Sequence, residues 1–344
     1  MPGGLRHSSD DEPGIRRQGR SRFTYRDDVT GRVVRDREQL DRIEAIAVPP
    51  AWTDVWICRD AHGHVQATGR DDRGRKQYRY HPDFRRRREA AKFADLIPFG
   101  EALGPLRARL TEDLDGREWD FDHVVAVVLA LLDTTHIRVG NEQYARQNGT
   151  FGLTTLREKH VDVAGRQVRL RFVGKAGKEV DVEVDDPRLA REVRRCRELP
   201  GQLLFQWCDV RGERHPVRST DINERLRELT GLDVTAKTFR TWGASVRAAA
   251  HLAAADPPAS ARSANRQIVE AIDAVAERLG NTRAVARASY VHPAIPAAYE
   301  AGRLGEWWRA GPSRRGGGLE ADERRLLVVL RRARRAGFAV RQAA

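Results

Sequence analysis

The chain has 344 residues, enough for two domains and a sizeable core, and 62 Lys and Arg against 49 Asp and Glu give it a formal net charge of +13. Such an excess calls for a polyanionic partner, and nucleic acid comes ahead of an anionic membrane surface because no run of about 18 apolar residues exists. Met1 to Arg20 has no apolar segment to serve as a signal peptide, Cys58, Cys196 and Cys208 form neither a C-x-x-C pattern nor a disulfide framework, and P-loop and dinucleotide fingerprints are absent; a cytoplasmic, nucleoid-associated protein with no cofactor or metal is expected.

Residues 1 to 22 are rich in Gly, Ser, Arg and Asp with almost no apolar content, which predicts a disordered basic arm. A β-rich domain over 23–97 follows. Within it, Val55 to Tyr80 reads as three strands separated by turns at Asp60-Ala61-His62-Gly63 and Asp71-Asp72-Arg73-Gly74, hence an antiparallel sheet. The first turn also accounts for His62-Gly63-His64, which has no third metal ligand nearby. Pro82 opens a very basic helix over Phe84 to Lys92, leading to a boundary near Ile97-Pro98-Phe99-Gly100.

The next domain, 98–305, is mainly helical. Arg138 follows the apolar run Val124 to Leu132. Alternating Val168, Leu170, Phe172 and then Val180, Val182, Val184 predict a hairpin with Lys175 exposed at its tip, in Gly174-Lys175-Ala176-Gly177. Further on, Lys237-Thr238-Phe239-Arg240 opens a helix. Ile268, Ile272, Val275 and Leu279 follow helical spacing, Gly280 suits the end of that helix, and Thr282 suits the start of a short one carrying Ala284 to Ala288 before Tyr290. The break matters: on one unbroken helix, Asn281 and Tyr290 would be separated by about 900° of rotation and point to opposite sides. A basic tail over 306–344 has a flexible Arg314-Arg315-Gly316-Gly317-Gly318 joint, then Glu323 to Val340 with Leu326, Leu327 and Leu330 among arginines, a solvated or weakly nucleic-acid-associated end. The fold class is therefore α+β, a small antiparallel sheet domain followed by a larger, mostly α-helical one with a hairpin.

Taken singly, each polar residue has a plain structural explanation: a paired surface arginine, a solvated turn lysine, a tyrosine packing with its hydroxyl wet. Together they form a set with chemical meaning. A tyrosine hydroxyl, with a pKa of roughly 10, is a weak nucleophile at neutral pH. An enzyme attacking a phosphodiester with it must supply cations to the phosphate oxygens and an acid to the departing alkoxide.

The order Arg138, Lys175, Lys237-x-x-Arg240, Leu279-Gly280-Asn281-Thr282, Tyr290 strongly resembles the type IB DNA topoisomerases of the poxvirus and bacterial kind, from about Phe23 to Glu300 and including Gly152-Leu153-Thr154-Thr155-Leu156-Arg157-Glu158-Lys159-His160. Lysine occurs only at positions 76, 92, 159, 175, 178 and 237, so two of them at the family's acid positions are hard to ascribe to chance. The resemblance implies that Tyr290 attacks the scissile phosphate, giving a 3′-phosphotyrosine and a 5′-hydroxyl. Arg138 and Arg240 would hold the non-bridging oxygens, Lys175 assisted by Lys237 would protonate the leaving oxygen, and Asn281 would donate to a phosphate oxygen. Religation would then need neither ATP nor metal. It further implies double-stranded DNA as partner, a monomer, and DNA contacts from Gln77, Tyr78 and Tyr80, flanked by Arg75 and Lys76, and from Tyr144.

Three positions depart from the family pattern. Asn281 stands where histidine is common, and it can donate a hydrogen bond but carry no charge. Asn141 and Gln143 replace poxvirus lysines, which removes a basis for strict recognition of the poxvirus pentanucleotide. A tyrosine recombinase or integrase shares the Arg, Lys, Arg, Tyr chemistry, but typically has His-x-x-Arg in place of Lys237-x-x-Arg240 and a helical amino-terminal domain. A non-catalytic architectural DNA-binding protein would match the charge but leave the catalytic-type positions unexplained.

Overall fold

The computed structural model describes residues 4–19, 22–72, 74–116 and 118–338. The chain divides into two units, Met1–Lys92 and Phe93–Ala344. The fold is α+β, as the patterning predicts: an antiparallel sheet in the first unit, and in the second mostly helices with smaller sheets.

In the first unit, β1 (Ile15–Gln18), β2 (Thr24–Asp27), α1 (Arg37–Ala45), β3 (Thr53–Ile57), β4 (Val65–Arg70) and β5 (Lys76–Tyr80) build a five-stranded sheet in the order β2-β1-β3-β4-β5. Ile15, Ile43, Val55, Ile57 and Ala67 form its buried core. The disordered arm expected over 1–22 is corrected for its described residues. Ile15 is fully buried and β1 pairs with both β2 and β3, while Leu5 is buried and Arg6 exchanges backbone hydrogen bonds with His62 and His64 at 2.9 Å each. One inward isoleucine suffices for a strand whose other face is wet, and Arg17 covers the Phe23 ring at 4.2 Å while its guanidinium donates to the Trp52 carbonyl at 2.5 Å. Residues 1–3, 20–21 and Arg73 of the expected arm and turn lie outside the described residues.

The second unit begins within α2 (Pro82–Ala94) and continues through α3 (Leu96–Asp115), α4 (Phe121–Thr135) and α5 (Glu142–Asn148). A three-stranded sheet β6 (Val161–Ala164), β7 (Gln167–Val173), β8 (Glu179–Asp185) contains the expected hairpin plus one strand more. Then come α6 (Pro187–Glu198), the small hairpin β9 (Gln206–Cys208) and β10 (Arg214–Pro216), α7 (Ser219–Thr230), α8 (Ala236–Ala254), α9 (Ala261–Arg278), α10 (Arg283–Ser289), α11 (Ala294–Glu300), α12 (Leu304–Arg309) and α13 (Ala321–Arg335). Helix α4, apolar on nearly every face, is buried almost throughout, as such a helix must be. None of the helices, among the described residues, is long and apolar enough to cross a membrane.

The tail is also corrected. Trp307, Trp308, Leu326, Leu327, Val329 and Leu330 are all buried in the same core as α4, so the arginines of α13 form only its outer face. Nor is the glycine joint free: a side-chain carbon on Gly104 of α3 would come within 2.0 Å of the Gly317 carbonyl, a backbone approach that only glycine permits. Residues 339–344 of the expected tail lie outside the described residues.

Candidate active site

Lys237 and Arg240 sit three residues apart in the first turns of α8 and so share a face. Arg240 is the inner of the two, 4% exposed. Its Nη1 donates to the carbonyl of His136 and its Nη2 to the carbonyl of Leu279 at 2.9 Å. These acceptors are the C-cap residues of α4 and α9, where helix carbonyls lack internal partners and carry the negative end of the helix dipole. Two helix ends thus hold one guanidinium without a carboxylate. Burial, reinforced by Arg138, pushes Arg240 down to about 10, which leaves it charged at neutral pH.

His136 reaches this position through a left-handed backbone (φ 55°), stopping α4 and turning its carbonyl towards α8. Its ring lies against Gly243, where any β-carbon would come within 2.2 Å of Nε2. Burial first, then the charges of Arg240, Arg247 and Arg278, lower its pKa to about 4, so the imidazole is neutral.

The segment after α9 behaves as its sequence predicts. Gly280 takes φ +60°, with Gly280 N donating to Glu277 O at 3.0 Å and Asn281 N to Ala276 O at 2.8 Å, a Schellman ending. The Thr282 side chain then caps α10. Tyr290 follows as the C-cap of α10, and Ser245 of α8 fixes its backbone by donating to the Tyr290 carbonyl at 3.2 Å while accepting from His292 N at 3.0 Å. The Tyr290 ring lies 5.1 Å from the Arg240 guanidinium and 5.4 Å from Lys237 Nζ. Burial alone would raise its pKa. The charge and hydrogen bond of Arg240, with the charges of Arg138 and Lys237, outweigh burial, and the net shift is downward.

Arg138 Nη2 donates to Asn281 Oδ1 at 2.5 Å. Asn281 therefore spends its acceptor on an arginine, and its Nδ2 is buried without an acceptor, as is Arg240 Nε. Lys175 is exposed at the hairpin tip, and its neighbour Lys178 ties that tip to the Asn281 loop by donating to the Asn281 carbonyl at 3.2 Å. Arg138, Lys175, Lys237, Arg240, Tyr290 and the half-exposed Tyr144 line one cavity of about 360 Å³. Asn281 is joined to it through Arg138.

The remaining predicted residues belong to the first unit. Tyr78 and Tyr80 stack on one face of β5, rings 5.9 Å apart and 9° from parallel. Lys76 pairs with Asp10 at 2.7 Å, Arg75 with Asp71 at 2.7 Å, and Gln77 donates to Asp71 at 2.9 Å. Sequence reading missed His136, Ser245 and Lys178. The first two act through backbone atoms or on them, which no side-chain motif reveals, whereas Lys178, one of six lysines and three residues from Lys175, was within reach.

Residues 81–300 match the family described as eukaryotic DNA topoisomerase I, catalytic core, and residues 22–71 the bacterial DNA topoisomerase IB amino-terminal domain. A DNA topoisomerase 1B of Acanthamoeba polyphaga mimivirus is 31% identical over 261 residues, 74% of this chain and 78% of the relative. The DNA topoisomerase 1B of vaccinia virus (strain Copenhagen) is 24% identical over 144 residues, and DNA topoisomerase 1 of rabbit fibroma virus 24% over 167; these matches cover 46% and 52% of those relatives. With a catalytic-core match across more than half its length and the β-rich amino-terminal domain in front of it, the chain belongs to the type IB DNA topoisomerase family and is an enzyme acting on DNA topology.

Proposed function

We propose that this enzyme relaxes supercoiled duplex DNA by transient cleavage of one strand, with Tyr290 as nucleophile. The observation that carries the reading is the convergence of Arg240, Lys237 and Arg138 on a buried tyrosine with no carboxylate paired to any of them among the described residues. A cluster of that composition is complementary to a phosphodiester dianion-like transition state.

In this reading, the Tyr290 hydroxyl gives its proton to solvent as its oxygen bonds to phosphorus, the bond to the 5′-oxygen breaks, and the product is a 3′-phosphotyrosine with a 5′-hydroxyl. Arg138 and Arg240 hold the non-bridging oxygens as planar donors charged at neutral pH. The unpartnered Nδ2 of Asn281 is a further donor. Lys175, assisted by Lys237, gives its proton to the leaving oxygen; the strand rotates, and the reverse attack restores the phosphodiester. The phosphotyrosine conserves the energy of the broken bond, so no ATP is consumed, and fixed guanidinium charge does the work of a divalent cation. All these groups come from one chain, in keeping with a monomer.

Supercoiled plasmid incubated with the protein in EDTA without ATP should give a ladder of relaxed topoisomers, and Tyr290→Phe should bind duplex normally while forming no SDS-trapped adduct. An adduct on the Tyr290→Phe variant would remove Tyr290 from this role.

A further inference from the structure

Glu323 of α13 lies beyond residue 300, where the catalytic-core match ends. Its carboxylate is saturated by four donors. Oε1 accepts from Trp242 Nε1 at 2.9 Å and Arg107 Nη2 at 2.9 Å; Oε2 accepts from Arg107 Nη1 at 2.7 Å and from Glu320 N at 2.9 Å. Arg107, on α3, also pairs with both oxygens of Asp133 at 2.7 and 2.9 Å. A single carboxylate thus joins three core helices.

The places it grips are specific. Trp242 is two residues after Arg240 on α8, is 1% exposed, and packs on Gly100 so closely that a β-carbon there would come within 2.3 Å of its ring. Asp133 stands in the last turn of α4, three residues before His136, whose carbonyl accepts from Arg240. Arg240 originates on one of these helices and is anchored on the end of the other. A guanidinium held this way keeps its aim only while α8 and α4 keep their mutual register. Apolar burial is non-directional, whereas charge-assisted hydrogen bonds of fixed geometry also set register.

We infer that Glu323 is a positioning residue for the cleavage reaction, locking α8 to α4 through Trp242 and the Arg107–Asp133 pair so that Arg240 stays aimed at the phosphate and Tyr290. This makes the carboxy-terminal helix part of the catalytic apparatus, and it rests on the reading of Arg240 and Tyr290 given above.

The test uses the full chain with Glu323→Gln, which keeps shape and an acceptor for Trp242 but cannot serve Arg107 as a charged fork, and Trp242→Phe, which removes the indole donor together with part of the ring packing on Gly100. Single-turnover adduct formation, duplex affinity, melting temperature and the pH dependence of cleavage are measured for each. Cleavage should fall on the order of 10- to 10²-fold, the scale of a small misplacement remote from the chemistry, in protein that is still folded and binds duplex with wild-type affinity. The alkaline rise in rate set by Tyr290 should move to higher pH as Arg240 withdraws, a change that a loss of global stability would not produce. In an Arg240→Ala background, Glu323→Gln should add nothing. Wild-type cleavage by both variants would overturn the inference. So would a Glu323→Gln defect that is undiminished in the Arg240→Ala background, since Glu323 would then act elsewhere. If Arg240→Ala itself cleaves normally, the reading of Arg240 fails and the inference falls with it.

Discussion

The cations proposed to meet DNA differ in their partners between the two units. On the sheet, Lys76 and Arg75 at the start of β5 are each paired with a carboxylate of the same unit, Asp10 and Asp71, at 2.7 Å, whereas Arg79 between the two tyrosines donates to the Ala47 carbonyl at 2.9 Å. In the helical unit, Arg138 is held by an amide oxygen and Arg240 by two helix-end carbonyls. Neutral acceptors orient a guanidinium without cancelling its charge, so the field at Tyr290 is present before any phosphate arrives. A paired cation must instead exchange a carboxylate for a phosphate, which yields little net affinity. The lesson is that counting basic residues locates neither kind of site. The partner of each cation decides whether it is committed to folding or available to a ligand.

In the helical unit, charge stabilisation and proton donation separate by experiment. Lys175→Ala should lose on the order of 10²-fold or more in cleavage, the usual scale for a general acid. A substrate with sulfur in the bridging 5′ position leaves as a thiolate and needs no proton, so it should largely restore the Lys175→Ala rate. The same substrate should leave Arg138→Ala and Arg240→Ala crippled. Rescue of the arginine variants instead of the lysine variant would reverse the roles proposed for them.

A smaller effect probes the sheet. If Asp10 occupies Lys76 in competition with phosphate, Asp10→Asn should tighten duplex binding by about two- to fivefold at low salt, the range of an exposed ion pair. Lys76→Ala should weaken it, and combining the two should cancel the gain. Equal affinity of wild type and Asp10→Asn would mean that β5 gives up nothing when DNA binds.

The last test concerns stability. His136 and His292 are both held near pKa 4, chiefly by burial, against about 6.5 in an unfolded chain. Between these values the unfolded state binds protons that the folded state refuses, so stability is present above about pH 6.5 and falls as pH drops towards 4, by up to ~3 kcal/mol per histidine. His292 Nδ1 also accepts from Ala294 N at 3.1 Å. His292→Asn retains an acceptor there without a titrating ring, and its melting temperature should fall less than that of wild type between pH 7 and pH 5. Parallel curves would show that His292 does not limit acid stability.

Much of the helical unit was legible from local pattern, because periodicity and capping are properties of adjacent residues. The β7–β8 hairpin, the Leu279-Gly280 helix end and the Thr282 cap are each set by the conformational limits of a few side chains. The sequence also names Arg138, Lys175, Lys237, Arg240, Asn281 and Tyr290 by residue type, and the structure brings five of them to one cavity with Asn281 joined through Arg138. Strand β1 and the burial of α13 escape local pattern for one reason: Ile15-Arg16-Arg17-Gln18 and an arginine-rich helix are apolar on one face only, and composition averages that face away. Adjacent residues thus settle which groups the protein has and which local turns present them. The pairing of Lys76 with Asp10, the two helix carbonyls that orient Arg240 and the network that Glu323 closes behind it arise only in three dimensions, because each depends on residues tens to hundreds of positions apart meeting within hydrogen-bond distance.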